Sequence, residues 1–234
     1  MSKSDEFCIK HEELCIKNGE FCIKNEEFCI KNDEFAAGQM AARPGKRPFI
    51  LSRAFFAGSQ RHVAVWTGDS MATWDHLKLV TPMLLALSLS GISFVGSDIG
   101  GFFGNPSVEL LIRWYVFDAV SFCIYMPAID RSLSGCRYET AVYQPFCRAH
   151  AHSDTARREP WLLETGDADL VRQALKRRYA LLPYLYTLFA DNHRTAAPIL
   201  RPLWYEFPGD ALGYTEQEGF MYVRTQSPPQ YDSQ

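Results

Sequence analysis

Two patterns of apolar and polar positions divide the chain. Residues 6–35 read EFCIKHEELCIKNGEFCIKNEEFCIKNDEF, four copies of a seven-residue unit in which Phe or Leu, then Cys, then Ile sit between charged residues. A period of seven invites a coiled coil, but that assembly needs apolar residues at a and d, whereas three adjacent residues spread over about 200° of a helical wheel. Asn18-Gly19 is instead a type I′ hairpin signal, which admits a small β-meander. Near-identical copies of so short a unit read more simply as a low-complexity, poorly ordered tail. The stretch from Ala36 to Arg47, with Gly38, Pro44 and Gly45, reads as a linker.

From residue 47 onward the pattern becomes short continuous apolar runs, each ending in an ionisable group. PFILSRAFF delivers Arg53, HVAVWTGD delivers Asp69, GISFVGSD delivers Asp98, and VYQPFCRAHAH delivers Arg148 and His150. Continuous apolar runs suit parallel strands buried on both faces. Between Asp69 and Gly91 the spacing of Leu77, Val80, Leu84 and Leu87 predicts a helix capped by Ser70 and ended by Gly91. A second helix is predicted from Asn105, with Pro106 in its first turn and Leu110, Leu111 and Trp114 facing inward. A third spans residues 168–194 and is expected to kink or split at Pro183, after which PILRPLWYEFP resumes strand character. The tail from Thr225 reads as disordered.

Strand, helix, strand is the grammar of an α/β fold, and in a (β/α)8 barrel the C-terminal strand ends converge on one mouth, where polar residues read as catalytic. The spacings test this. Asp69 to Asp98 is 29 residues, close to the roughly 30 per unit of a barrel of about 250 residues. Asp98 to His150 is 52, which points to an insertion, and Arg53 to Asp69 is only 16, which spacing alone does not explain.

Composition narrows the partners. The chain of 234 residues is 47% hydrophobic and 14% aromatic, enough to pack a core. Its net charge of −3, with Lys and Arg dispersed, leaves no footprint for nucleic acid or an anionic membrane, so a small-molecule partner is expected. The run from Leu79 to Gly96 contains Thr81, Pro82, serines and Gly91, and reads as a buried helix and strand rather than a membrane span. The first 35 residues carry an acid or lysine every few positions, so no secretory signal is read there and the chain as written is expected to stay cytosolic. Cys8, Cys15, Cys22 and Cys29 recur at a spacing of seven that matches no metal or redox motif. His150, His152 and Asp154 share one face of a strand and could mimic a metal site, but no metal or cofactor is expected.

RAFFAGSQR, WTGDS, GSDIGGFF, YQPFCRAHAHSD and RREPW follow one another in this order, and together they resemble glycoside hydrolase family 31, nearest to its neutral α-glucosidases that trim N-linked glycans. The resemblance covers residues 47 to about 115 and 140 to about 223. It implies retaining hydrolysis of terminal α-linked glucose by two carboxylates. Asp69 matches the family's acid/base, and burial beside Trp66 is expected to hold its proton. Arg53, Asp98 and His150 are assigned to hydrogen bonds with the glucose, Trp66 and Phe102 to its apolar wall, and Arg148 to orienting a neighbouring carboxylate. The implied ligand is an α-glucoside or glucosylated N-glycan. The implied partner is a regulatory β subunit, and the implied location is the lumen of the endoplasmic reticulum.

The resemblance breaks twice. The family's nucleophile lies in a Trp-x-Asp-Met-Asn-Glu motif that this sequence does not contain. Residues 116–141, with Cys123 and Cys136, form an atypical insert. The fold expected is therefore a low-complexity tail and linker at 1–46, the C-terminal half of a (β/α)8 TIM barrel at 47–200, and the start of a β-sandwich domain with a disordered tail at 201–234. An open half-barrel has unpaired edges, so self-association is expected. With one carboxylate of the pair missing, the chain alone is expected to be inactive; the alternative is a noncatalytic remnant that binds carbohydrate or a partner.

Overall fold

A computed structural model describes residues 37–115, 141–214 and 219–222. The repeat, its Asn18-Gly19 turn, most of the insert and the tail from Thr225 lie outside the described residues. The chain divides into two compact units, Met1–Ala64 and Val65–Gln234.

In the first unit, residues 37–42 are helical rather than a plain linker. Gln39 explains why: its side chain donates to the Phe49 carbonyl and accepts from the Phe49 N–H, both at 2.8 Å, and so mimics a strand partner. Of the predicted run through Arg53, only Leu51 pairs, in parallel with Ala64. Arg53 follows in a bend and is exposed.

The second unit is organised by parallel pairing. Strand β1 (Val65–Trp66) and strand β2 (Val95–Gly96) run parallel, with Val65 opposite Val95 and Trp66 opposite Gly96. Val65 and Val95 are completely enclosed, as continuous apolar strands require. Beyond β2 the order continues as an isolated parallel bridge from Asp98 to Arg148. The regular strands are much shorter than the apolar runs.

Helix α1 (Trp74–Leu89) supplies the crossover between β1 and β2. Leu77, Val80, Leu84 and Leu85 are its buried face, while Leu87 is only half-buried. The cap is Thr73 and not Ser70: Thr73 accepts from the His76 N–H, whereas the Ser70 carbonyl receives the N–H groups of Phe102 and Phe103. Helix α2 (Val108–Tyr115) also begins late. Ser107 accepts the Leu110 N–H at 3.2 Å, because the Asn105 side chain is held by the Ala156 N–H at 2.8 Å. Leu110, Leu111 and Trp114 are buried as the pattern predicts.

Helix α3 (Thr165–Thr195) runs as one helix through Pro183, which does not split it. Its buried stripe, Val171, Ala174, Leu185 and Leu188, spans both sides of the proline, so packing outweighs one lost backbone bond. Asn192 ends it by accepting the Ala196 N–H on its carbonyl and donating its side chain to Ala197. The following segment departs from strand character. Arg201 makes one antiparallel bridge to Met221, and then Pro202, which cannot donate, caps helix α4 (Leu203–Glu206). Among the described residues from 201 onward there is no further strand pairing.

Burial pushes the Tyr115 hydroxyl up to about 12, with Cys147 adding to the shift and Arg158 opposing it. The native state therefore keeps this proton over the range from about 10 to 12 in which the unfolded chain releases it, and stability falls as pH rises through that window. The expected loss is about 2–3 kcal/mol, at roughly 1.4 kcal/mol per unit. Urea midpoints measured from pH 9 to 12 should show this component in the wild type and not in Tyr115→Phe.

Candidate active site

Because β1 and β2 are parallel and in register, the residues just beyond them leave the sheet at the same end. Asp69 follows β1 by three residues and Asp98 follows β2 by two, and Asp98 is bridged to Arg148. One mouth thus receives Asp69, Asp98, Arg148 and, two residues further, His150. Asp69 and Asp98 are close enough that the charge of Asp69 acts on Asp98.

Asp98 is fully enclosed. Its Oδ1 accepts from Arg148 Nε at 2.6 Å, and its Oδ2 is buried with no hydrogen-bond partner among the described residues. Burial lifts the Asp98 carboxyl above its ordinary range, Arg148 and His150 pull it back, and Asp69 pushes it up. The Arg148 guanidinium also lies over the Trp66 ring, 4.5 Å from the centroid, in cation–π contact. Arg148 thus covers one face of the Trp66 ring.

Phe102 and His150 stack, with ring centres 5.2 Å apart and planes 21° from parallel. Phe103 and His152 extend this wall, with ring centres 4.6 Å and 5.4 Å from that of Phe102 and 5.3 Å from each other. His152 is turned toward Asp154, 2.5 Å away. Among the described residues no cluster of three or more His, Cys, Asp or Glu is placed to hold a metal ion, and no helix is long and apolar enough to cross a membrane.

Asp69 is exposed, so burial beside Trp66 does not enclose it. Its loop is held tightly nonetheless. Phe102 N–H donates to Ser70 at 2.7 Å, and Ala72 N–H donates to Phe103 at 2.8 Å. Gly101 makes that approach feasible: its φ is +78°, and a Cβ there would lie 2.6 Å from the Ala72 nitrogen.

Two supporting residues carry no sequence-derived role. Gln144 is buried, accepts the Ser97 N–H at 2.7 Å and exchanges hydrogen bonds with the Ser97 hydroxyl, which fixes the approach to Asp98. Arg158 donates to the carbonyls of Gly100, Gly101 and His150. Burial lowers its guanidinium from the usual arginine range, against the opposing pull of Tyr115 and Asp98. The only sequence signal for either is membership in YQPF and RREPW. Arg53 belongs to the first unit.

The raised Asp98 carboxyl has a defined consequence. A folded-state value above that of the unfolded chain contributes stability that is present below the ordinary value of 3.8 and is lost as pH rises through the folded value. Comparing chemical unfolding from pH 3 upward, wild type should lose stability across this window relative to Asp98→Asn; parallel pH profiles would contradict the assignment.

The chain resembles known proteins over most of its length. The profile of the glycosyl hydrolases family 31 TIM-barrel domain matches residues 24–128 and 130–188. Neutral alpha-glucosidase AB of Sus scrofa is 51% identical over 176 residues, 75% of this chain and 16% of that protein. A crystal structure of glucosidase II alpha subunit, in a Glc1Man2-bound form, superposes with a TM-score of 0.68 at 39% identity, over 82% of this chain and 18% of that one. The same values hold for the ER glucosidase II heterodimeric complex of catalytic subunit and the binding domain of the regulatory subunit. The chain thus spans less than a fifth of the length of these relatives.

Proposed function

The chain belongs to glycosyl hydrolase family 31, and from that premise we propose that it carries the acid/base half of a retaining α-glucosidase site, with Asp69 as the proton donor. The observation that carries this reading is the convergence of exposed Asp69 with the enclosed Asp98–Arg148 pair and the Phe102–His150 wall at one end of parallel strands. A proton donor must reach the leaving oxygen, and the exposure of Asp69 is compatible with that role.

The other residues shape the place the sugar occupies. Phe102 offers an apolar surface, and His150, exposed at its edge, offers a ring nitrogen to a hydroxyl. Asp98, sealed below, anchors Arg148 against Trp66. The buried Oδ2 of Asp98 has acceptor capacity to spare for a hydroxyl that reaches it when ligand enters. Arg53 is assigned a hydrogen bond to the sugar by the family motif alone.

In a retaining enzyme a second carboxylate, about 5–5.5 Å from the first, attacks the anomeric carbon. The family's nucleophile motif is not in this sequence, so on this reading the chain carries only the acid/base half of the pair. The same fact favours a second reading, in which these residues bind a glucoside without turning it over. The substrate class is a terminal α-linked glucose, as on a glucosylated N-glycan. A regulatory β subunit is the partner and the endoplasmic-reticulum lumen the setting, by analogy with the heterodimer that the fold matches. The half-barrel edges supply a further route to self-association.

The test is hydrolysis of an aryl α-glucoside by the purified chain. Loss of either carboxylate removes most of the rate, so release of the aryl group should stay at background in both wild type and Asp69→Asn. Turnover by the wild type that Asp69→Asn loses would overturn the half-site reading.

A further inference from the structure

We propose that Arg158 is a positioning residue: its guanidinium ties the Gly100–Gly101 turn to the His150 backbone and thereby holds Phe102 and His150 face to face. Gly100 and Gly101 follow the end of β2, and both have positive φ, +85° and +78°. Two successive left-handed residues turn their carbonyls out of any strand ladder. Both glycines are buried, so those carbonyls must be satisfied inside the protein.

Arg158 satisfies them. Its Nη1 donates to Gly100 at 2.8 Å, while its Nη2 donates to Gly101 and, at 3.1 Å, to His150. Phe102 is the next residue after the turn, and His150 is the residue whose ring covers it. One planar group therefore fixes both halves of the stack from behind. The absence of a Cβ at Gly100 leaves room for this, since a Cβ there would sit 3.3 Å from Arg158 Nη1. Further contacts fasten the same corner: the His152 N–H donates to the Phe102 carbonyl at 2.9 Å, and the Ile99 N–H to Arg148 at 3.0 Å. Neither takes the carbonyls that Arg158 serves.

The arrangement needs a fork and not merely a charge. A guanidinium presents several donors in one plane, whereas an ammonium is a compact point charge. Arg157, next in sequence, is exposed and pairs with Glu159 at 2.9 Å, which makes it a matched control.

The effect on sugar binding rests on the reading above; the effect on the stack does not. The experiment follows the His150 ring protons by NMR in the ligand-free full chain, assigned by their loss in His150→Gln, and titrates an iminosugar separately. In Arg158→Ala the His150 signals should lose their ring-current shift and move to the positions seen in Phe102→Leu, and iminosugar affinity should fall at least tenfold. Arg158→Lys should not restore either, and Arg157→Ala should change neither. A folded Arg158→Ala with unmoved His150 signals overturns the proposal. Should that variant not fold, wild type decides: resolved, slowly exchanging Nη protons on Arg158 support the clamp, and a single averaged signal refutes it. If wild type binds no iminosugar, the sugar-site reading fails while the His150 shifts still decide the role of Arg158.

Discussion

A carboxylate removed from water must find a partner, and the Asp98–Arg148 contact is the constraint around which this unit is arranged. Asp98 is fully enclosed, so its charge is tolerable only against a nearby cation. Arg148 comes from a segment 50 residues away, and the pair ties that segment to the end of β2. Once Arg148 is held, its guanidinium covers Trp66, its carbonyl receives the Ile99 N–H, and His150 follows two residues later at the mouth. Gln144 and Ser97 brace the same connection from the N-terminal side.

The site therefore has an inner layer, largely removed from water, and an outer layer that is open to solvent. Asp98, Arg148, Gln144 and the carbonyl bonds of Arg158 belong to the first; Asp69, Phe102 and His150 belong to the second. This division suits a pocket for a polar ligand, because precise hydrogen bonding to hydroxyls needs side chains whose own positions are fixed by packing and by neighbours. It also gives the two acids different environments although they leave the sheet at the same end. One is sealed and paired, and the other stands in solvent.

Much of this was legible in the sequence, for identifiable reasons. The apolar faces of α1 and α2 could be read because helical spacing reports burial directly, and the parallel order could be read because continuous apolar runs ended in ionisable residues. The helix starts could not, since Ser70 and Asn105 are spent on contacts with residues 102–103 and 156 that no local pattern reveals. Pro183 was expected to interrupt α3, but a buried stripe continuing on both sides of it outweighs the local penalty. The strand expected after Pro198 becomes a single bridge and a short helix, where Pro202 withholds a donor. At the site, the motifs could be read as charged residues just beyond apolar runs, but which groups are sealed and which exposed depends on packing between distant segments. Hence the enclosure of Asp98, the exposure of Asp69 and the part played by Arg158 emerge only from the fold.

On the proposed function, these residues fold into a unit that keeps a mouth able to hold a glucose unit. Calorimetric unfolding of the purified chain, with and without an excess of a glucose-mimicking iminosugar, tests it most directly. A ligand stabilises only a state that binds it, by about 2.7 kcal/mol at a hundred times Kd. The account predicts a cooperative transition that rises with ligand and stops rising in His150→Ala; a transition that ligand leaves unmoved, or no transition at all, would contradict it.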